Sequence, residues 1–181
     1  MIIAFGGKTP KIGEGVFVAP TAVIIGDVEI GNGASIWYGA VLRGDVGPIR
    51  VGADTNIQDN CTVHGDHGVA TLIGAQVTIG HNAVVHGCTI EDNCLIGNGA
   101  LVLNAAIVHG GSMVGAGAVV REGQEVGPGH LVAGVPAKLK RSLTEEEKTI
   151  LRRATDTYKS LSSRYAALSQ GPRKGARPCS R

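Results

Sequence analysis

The sequence predicts an all-β chain wound as a parallel β-helix of hexapeptide repeats and closed by one C-terminal α-helix. Three observations carry that reading. From Ile90 an apolar branched residue recurs at every sixth position, through Ile96, Val102, Val108, Val114, Val120, Val126 and Val132. Glycine supplies 28 of 181 residues and aromatic residues only 3%, so small branched side chains must fill the core and turns must be frequent. The steps of three and four that a helix needs are absent from this region, and a sixfold period held so long indicates short strands joined by tight corners.

Taken in order, the frame begins at Ile30, Ile36 and Leu42, and returns at Val51, Ile57 and Val63, then at Ile73, Ile79 and Val85. Three hexapeptides make one coil, so residues 18 apart stack at ~4.8 Å, one strand spacing. Ile96 then shares a column with Val114, and Val102 with Val120. Gly47-Pro48-Ile49 adds three residues to the frame, and a stretch from Asp66 to Val69 adds four, a loop bulging from a corner beside His64. The repeat domain is expected over residues 1–141. A helix follows over 142–169, with Thr144 as N-cap and Glu147 completing a capping box. Its apolar stripe, Ile150, Leu151, Ala154, Tyr158, Leu161, Tyr165 and Leu168, is expected to pack along the outside of the coil. Residues 170–181 are polar, basic and proline-broken, and are expected to be disordered.

Composition excludes several function classes. Residues 1–141 carry 8 Lys/Arg against 11 Asp/Glu, and residues 142–181 carry 9 against 4. The basic excess therefore lies in the helix and tail without aromatic interleaving, and nucleic acid is not the expected partner. No apolar run is long enough for a transmembrane helix, and the N-terminus lacks a signal-peptide pattern, so the expectation is a cytoplasmic protein with no membrane partner. Cysteines 61, 88, 94 and 179 form no CxxC pair, and disulfides are not expected. Cys61 and Cys88 read as small core residues, although Cys61-x-x-His64 has metal-like spacing. His109 and His130 fall in distant coils and are expected to be exposed.

The chemistry concentrates between Asn56 and Cys88, where His64, His81 and His86 lie within the repeats. Three histidines and one open position are the usual layout of a catalytic zinc site. His64 follows Val63 and His86 follows Val85, 22 residues later, which is one coil plus the four-residue insertion. The pair should stack on adjacent coils, close enough for two ring nitrogens to meet ~3.3 Å apart on one metal. His81 falls on another face, in the column of Asp59 and Asn98. One chain thus offers a two-histidine half-site and a separate one-histidine half-site. Copies rotated about a threefold axis would unite them, so the expected unit is a homotrimer with its metal between subunits.

Arg43-Gly44-Asp45, Thr55-Asn56-Ile57-Gln58-Asp59, His64, Ile79-Gly80-His81 and His86-Gly87-Cys88 together resemble the gamma-class carbonic anhydrase family. The resemblance covers residues 10–168 and implies a left-handed β-helix, a homotrimer, and reversible hydration of CO2 to bicarbonate. It implies that His64 and His86 ligate a metal from one subunit and His81 from its neighbour. Zn2+ is the expected ion, with Fe2+ or Co2+ also accepted by three imidazoles. Gln58 stands where the family's glutamine orients the hydroxide that attacks CO2, and Tyr158 where a helix tyrosine approaches the site. Arg43 and Asp45 match an inter-subunit ion pair, with Asn56 and Asp59 lining the site. Asp59 is left between bracing Arg43 or a loop and orienting Gln58.

Two departures bear on turnover. Val46 replaces a glutamate after the Arg-Gly-Asp run, and the loop Gly65-Asp66-His67-Gly68 lacks the family's proton-shuttling glutamate. The resemblance therefore implies weak activity unless another group exports the proton. His67 is the candidate, because an imidazole titrating near ~6.5 matches a zinc-bound water near ~7, and flanking glycines would let it swing. Two other functions stay open on the sequence: acyltransferase or thioesterase action on a coenzyme A ester, and a metal-binding assembly protein without turnover.

Overall fold

A computed structural model describes residues 1–170, so the tail expected over 170–181 lies, from residue 171, outside the described residues. The chain is a parallel β-solenoid of short strands with three faces. One face stacks Val23–Ile30, the first half of Val41–Val51, Thr62–His64, Val84–His86, Leu101–Val102 and Val119–Val120. The second stacks the later half of Val41–Val51 with Thr71–Ile73, Thr89–Ile90, Ile107–Val108 and Glu125–Val126. The third runs from Phe17–Val18 through Ser35–Ile36, Asn56–Ile57, Thr78–Ile79, Leu95–Ile96 and Met113–Val114 to His130–Ala133.

Every sixth residue points inward because each face offers the core one side chain per coil. Leu42, Val63, Val85 and Val102 form one fully buried column, and Ile36, Ile57, Ile79 and Ile96 another. Burying an aliphatic side chain of this size contributes ~1.5–3 kcal/mol, so the columns form the main cohesive element. Corners admit only small groups, and Ala22, Ala40, Cys61, Ala83, Ala100 and Ala118 fill one set. Cys61 belongs to that set: its thiol donates to the Gly80 carbonyl (3.1 Å), and burial pushes its pKa up to about 11. The Cys88 thiol is pushed up by burial to about 12. Neither thiol is poised to become a thiolate at neutral pH.

The repeat ends in an antiparallel turn-back, Lys138–Ser142 against His130–Ala133, which the sixfold frame did not indicate. The helix α1 (Glu145–Gln170) follows. Thr144 caps it: its hydroxyl accepts from the Glu147 amide (3.2 Å), and Glu147 Oε2 accepts from the Thr144 amide (3.0 Å). α1 lies along the third face, against Phe17–Val18, Ser35–Ile36, Asn56–Ile57 and Thr78–Ile79. The expected stripe is half right. Leu151 is buried and Tyr158 and Leu161 pack on the core, but Ile150 and Leu168 are exposed, and buried Thr155 and Ser162 complete the contact face. Both hydroxyls bond back to helix carbonyls, which lets these small polar residues lie against the sheet. Among the described residues no helix is long and apolar enough to cross a membrane.

Candidate metal centre

The strand register places His86 directly beside His64 on adjacent coils. Their rings meet with His64 Nδ1 3.2 Å from His86 Nε2. Each ring's other nitrogen has its own partner. His64 Nε2 lies 3.0 Å from Asp45 Oδ1, and His86 Nδ1 lies 2.6 Å from Asn104 Oδ1. Both partners are oxygens that accept, so each of those nitrogens carries the ring proton. The two nitrogens facing each other then present lone pairs to a common point. Two acceptors at that separation repel unless a cation lies between them, and a divalent metal meets the requirement. Histidine ligands of metals commonly donate their second N–H to a carboxylate or carbonyl oxygen in this way. The donor set therefore fits a borderline metal of the zinc type.

Asp45 and Arg43 are two apart on one strand, so their side chains share a face and pair within the chain. The resemblance implied a pair between subunits. The single chain already makes this one, with the second carboxylate oxygen of Asp45 left for His64. Burial raises the Asp45 pKa, but hydrogen bonds from Arg43 and His64 more than offset it and hold the carboxyl below its ordinary value. Buried Thr71, which the sequence reading passed over, ties the half-site together. Its hydroxyl donates to the His64 carbonyl (2.6 Å) and accepts from the Gly87 amide (3.0 Å).

His81 stands apart from this pair, and among the described residues no three metal-ligating side chains of one chain come together. Its Nδ1 lies 2.9 Å from Asp59 Oδ2, and its Nε2 lies 3.3 Å from the Tyr158 hydroxyl. With Asp59 accepting from Nδ1–H, the lone pair falls on Nε2. Of the roles left open, Asp59 takes the bracing of a loop, since its Oδ1 accepts from the Tyr38 amide in the turn at 38–39 (3.1 Å), and it also braces His81. Gln58 is buried, with Oε1 accepting from the His81 amide (3.2 Å) and Nε2 donating to Asn56 Oδ1 (3.1 Å). Asn56, also buried, donates to Thr78 Oγ1 (2.9 Å). α1 brings Tyr158 to His81 while its ring meets Trp37 edge-on at 5.2 Å. Burial, then the charge of Asp59, raises the Tyr158 pKa, so its hydroxyl stays a donor at neutral pH.

His67 sits on the inserted loop with its ring exposed to solvent. Of its two flanking glycines only Gly68 is free. Gly65 is buried, and a Cβ there would lie 2.8 Å from the Val69 carbonyl, so any swing must come from the far side of the loop. Asn104 and Asp66 also escaped the sequence reading as site residues. Asn104 lies 18 residues beyond His86, so the column arithmetic that paired the histidines would have found it.

Residues 9–44 and 70–104 match the family of bacterial transferase hexapeptide (six repeats). The chain is 53% identical over 165 residues to gamma carbonic anhydrase 3, mitochondrial, of Arabidopsis thaliana, covering 88% of this chain and 64% of that protein. It spans 60–64% of the length of three such Arabidopsis proteins. It is 39% identical over 170 residues to a carbonic anhydrase of Geobacillus kaustophilus, covering 94% of this chain and 93% of that protein. Among solved structures, a hexapeptide transferase family protein from Anaplasma phagocytophilum superposes with a TM-score of 0.88 at 45% identity, covering 91% of this chain and 98% of that one.

Proposed function

The chain belongs to the gamma-class carbonic anhydrase family of hexapeptide-repeat proteins, and from that premise we propose that it is a metal-dependent lyase interconverting CO2 and bicarbonate in a homotrimer. The observation that carries the reading is the convergence of two histidine lone pairs at 3.2 Å, each ring anchored behind by an acceptor. His64 Nδ1 and His86 Nε2 would hold a zinc-type cation from one copy, and His81 Nε2 of a neighbouring copy would complete the set, its lone pair turning from the Tyr158 hydroxyl to the metal. Bound by three imidazoles, such a cation supplies Lewis acidity that makes a nucleophile available from water near pH 7.

The chain's own residues do the rest. Asp45 orients the His64 ring, and Asp59 orients that of His81. Gln58 has one amide hydrogen on Asn56, which leaves its second to aim at the nucleophile's oxygen. The outgoing proton falls to His67, whose ring is in solvent. An acyl-transfer enzyme needs one histidine as base and would have no use for two rings locked lone pair to lone pair. Stopped-flow CO2 hydration by zinc-loaded protein tests the proposal. Turnover that vanishes in His86→Ala supports it. A metal-loaded wild type with no hydration above buffer overturns it and leaves a metal-binding assembly protein.

A further inference from the structure

Behind His86 lies a bracket that the reaction chemistry does not by itself require. Asn104 Oδ1 approaches His86 Nδ1 at 2.6 Å, while Asn104 Nδ2 donates to the Asp66 carboxylate on the inserted loop. A carboxylate only accepts, so Asp66 fixes which end of the carboxamide faces which way. With its NH2 turned to Asp66, Asn104 must offer oxygen to the ring. The neighbouring backbone is shaped for this contact. A Cβ at Gly87 would lie 2.3 Å from Asn104 Oδ1 and 3.4 Å from a Val69 methyl, and Gly87 adopts φ +55. Glycine at that position is what lets the carboxamide reach over the strand to the imidazole.

We propose that Asn104, oriented by Asp66, is a positioning residue that holds the His86 ring as its Nδ1–H tautomer and so aims the Nε2 lone pair at His64 Nδ1. The inference rests on the metal reading above but is separable from it, because the tautomer exists before any metal arrives. The inserted loop thereby gains a second role, since through Asp66 it reaches the metal ligand from behind. Loss of an outer hydrogen bond of this kind typically weakens metal binding ~10–100-fold.

The test uses the full-length protein and three variants: Asn104→Ala, Asp66→Ala, and the double exchange Asn104→Asp with Asp66→Asn. The exchange keeps an acceptor facing the ring and a donor behind it. Zn2+ affinity is measured by chelator competition, and the cobalt d–d spectrum reports ligand geometry. Ring nitrogen shifts of His86 in metal-free protein report the tautomer, and circular dichroism verifies folding. The expected results are an Nδ1–H His86 in wild type, loss of that single tautomer with ~10–100-fold weaker zinc binding in Asn104→Ala, and recovery to within a few-fold in the exchange. Asp66→Ala should fall between, since its carboxamide partner is free to flip. A folded Asn104→Ala with unchanged tautomer and affinity overturns the inference, as does a folded exchange variant that recovers neither. If wild type takes up no zinc, the metal reading falls, and the tautomer comparison still decides the role of Asn104.

Discussion

Thr71→Val removes one oxygen and changes almost nothing else. The side chain is fully buried, so valine fills the same volume and leaves no cavity. What changes is the environment of two backbone groups. The His64 carbonyl loses a donor at 2.6 Å, and the Gly87 amide loses an acceptor at 3.0 Å. The two retain each other, since the Gly87 amide also donates to the His64 carbonyl at 3.0 Å. The loss is therefore partial, and a methyl now presses against both groups. A buried polar group stripped of a partner costs ~1–3 kcal/mol, which puts the change at ~2 kcal/mol. For a chain of this size that lowers Tm by ~4–8 °C. Thr71→Ser keeps the hydroxyl and loses one methyl, at ~0.8 kcal/mol. Thermal and urea unfolding followed by circular dichroism should rank wild type above the serine variant and serine above valine. A valine variant as stable as wild type would refute the claim that this hydroxyl joins the two histidine strands.

Three further outcomes are expected. Gln58→Ala should keep most bound metal while hydration turnover falls, checked by metal analysis beside stopped-flow rates; metal loss equal to that of His86→Ala would make Gln58 a scaffold for the site. His67→Ala should lose turnover in weak buffer and regain it as imidazole is added, whereas superimposable buffer curves for the two proteins would dismiss the shuttle. His109 bridges Glu125 and Glu91, which both raise its pKa, so its contribution to stability is full below the unfolded value near ~6.5 and fades as pH rises through the raised one. The Tm gap between wild type and His109→Gln should therefore be widest near pH 6 and close by pH 9, and a gap that widens with pH would contradict the assignment.

The coil was legible because each face shows the core one residue in six, and no other fold repeats that rule over so many strands. The same arithmetic, carried across the four-residue insertion, set His64 beside His86 and kept His81 away. It stopped where periodicity stops. Asp66 sits in the insertion itself, outside any column, so its contact with Asn104 could not be inferred from spacing. Spacing left Asp59 between two roles because its partners, His81 and the Tyr38 amide, lie on neighbouring coils, and a carboxylate at a corner accepts from whichever donor the turn presents. The helix face was half legible because hydropathy ranks Ile150 and Leu168 above Thr155 and Ser162. The docking surface instead favoured short hydroxyl side chains, and Thr155 also donates to the Gln76 carbonyl (3.3 Å) of the coil. Strand Lys138–Ser142 is exposed along its whole length, and its one apolar residue, Leu139, faces solvent, so no sixfold frame marks it.

In the proposed trimer one copy supplies His64 and His86 and another supplies His81. Neither His81→Ala nor His64→Ala alone retains a complete set of three. Unfolded together and reassembled, they should form mixed trimers in which a chain keeping the His64/His86 pair adjoins one keeping His81. A cyclic head-to-tail arrangement gives about one complete site per mixed trimer. Zinc content of the separated mixed species should then rise from near zero in either parent to about one ion per trimer. Mixed trimers that bind no more zinc than their parents would contradict a site shared between copies.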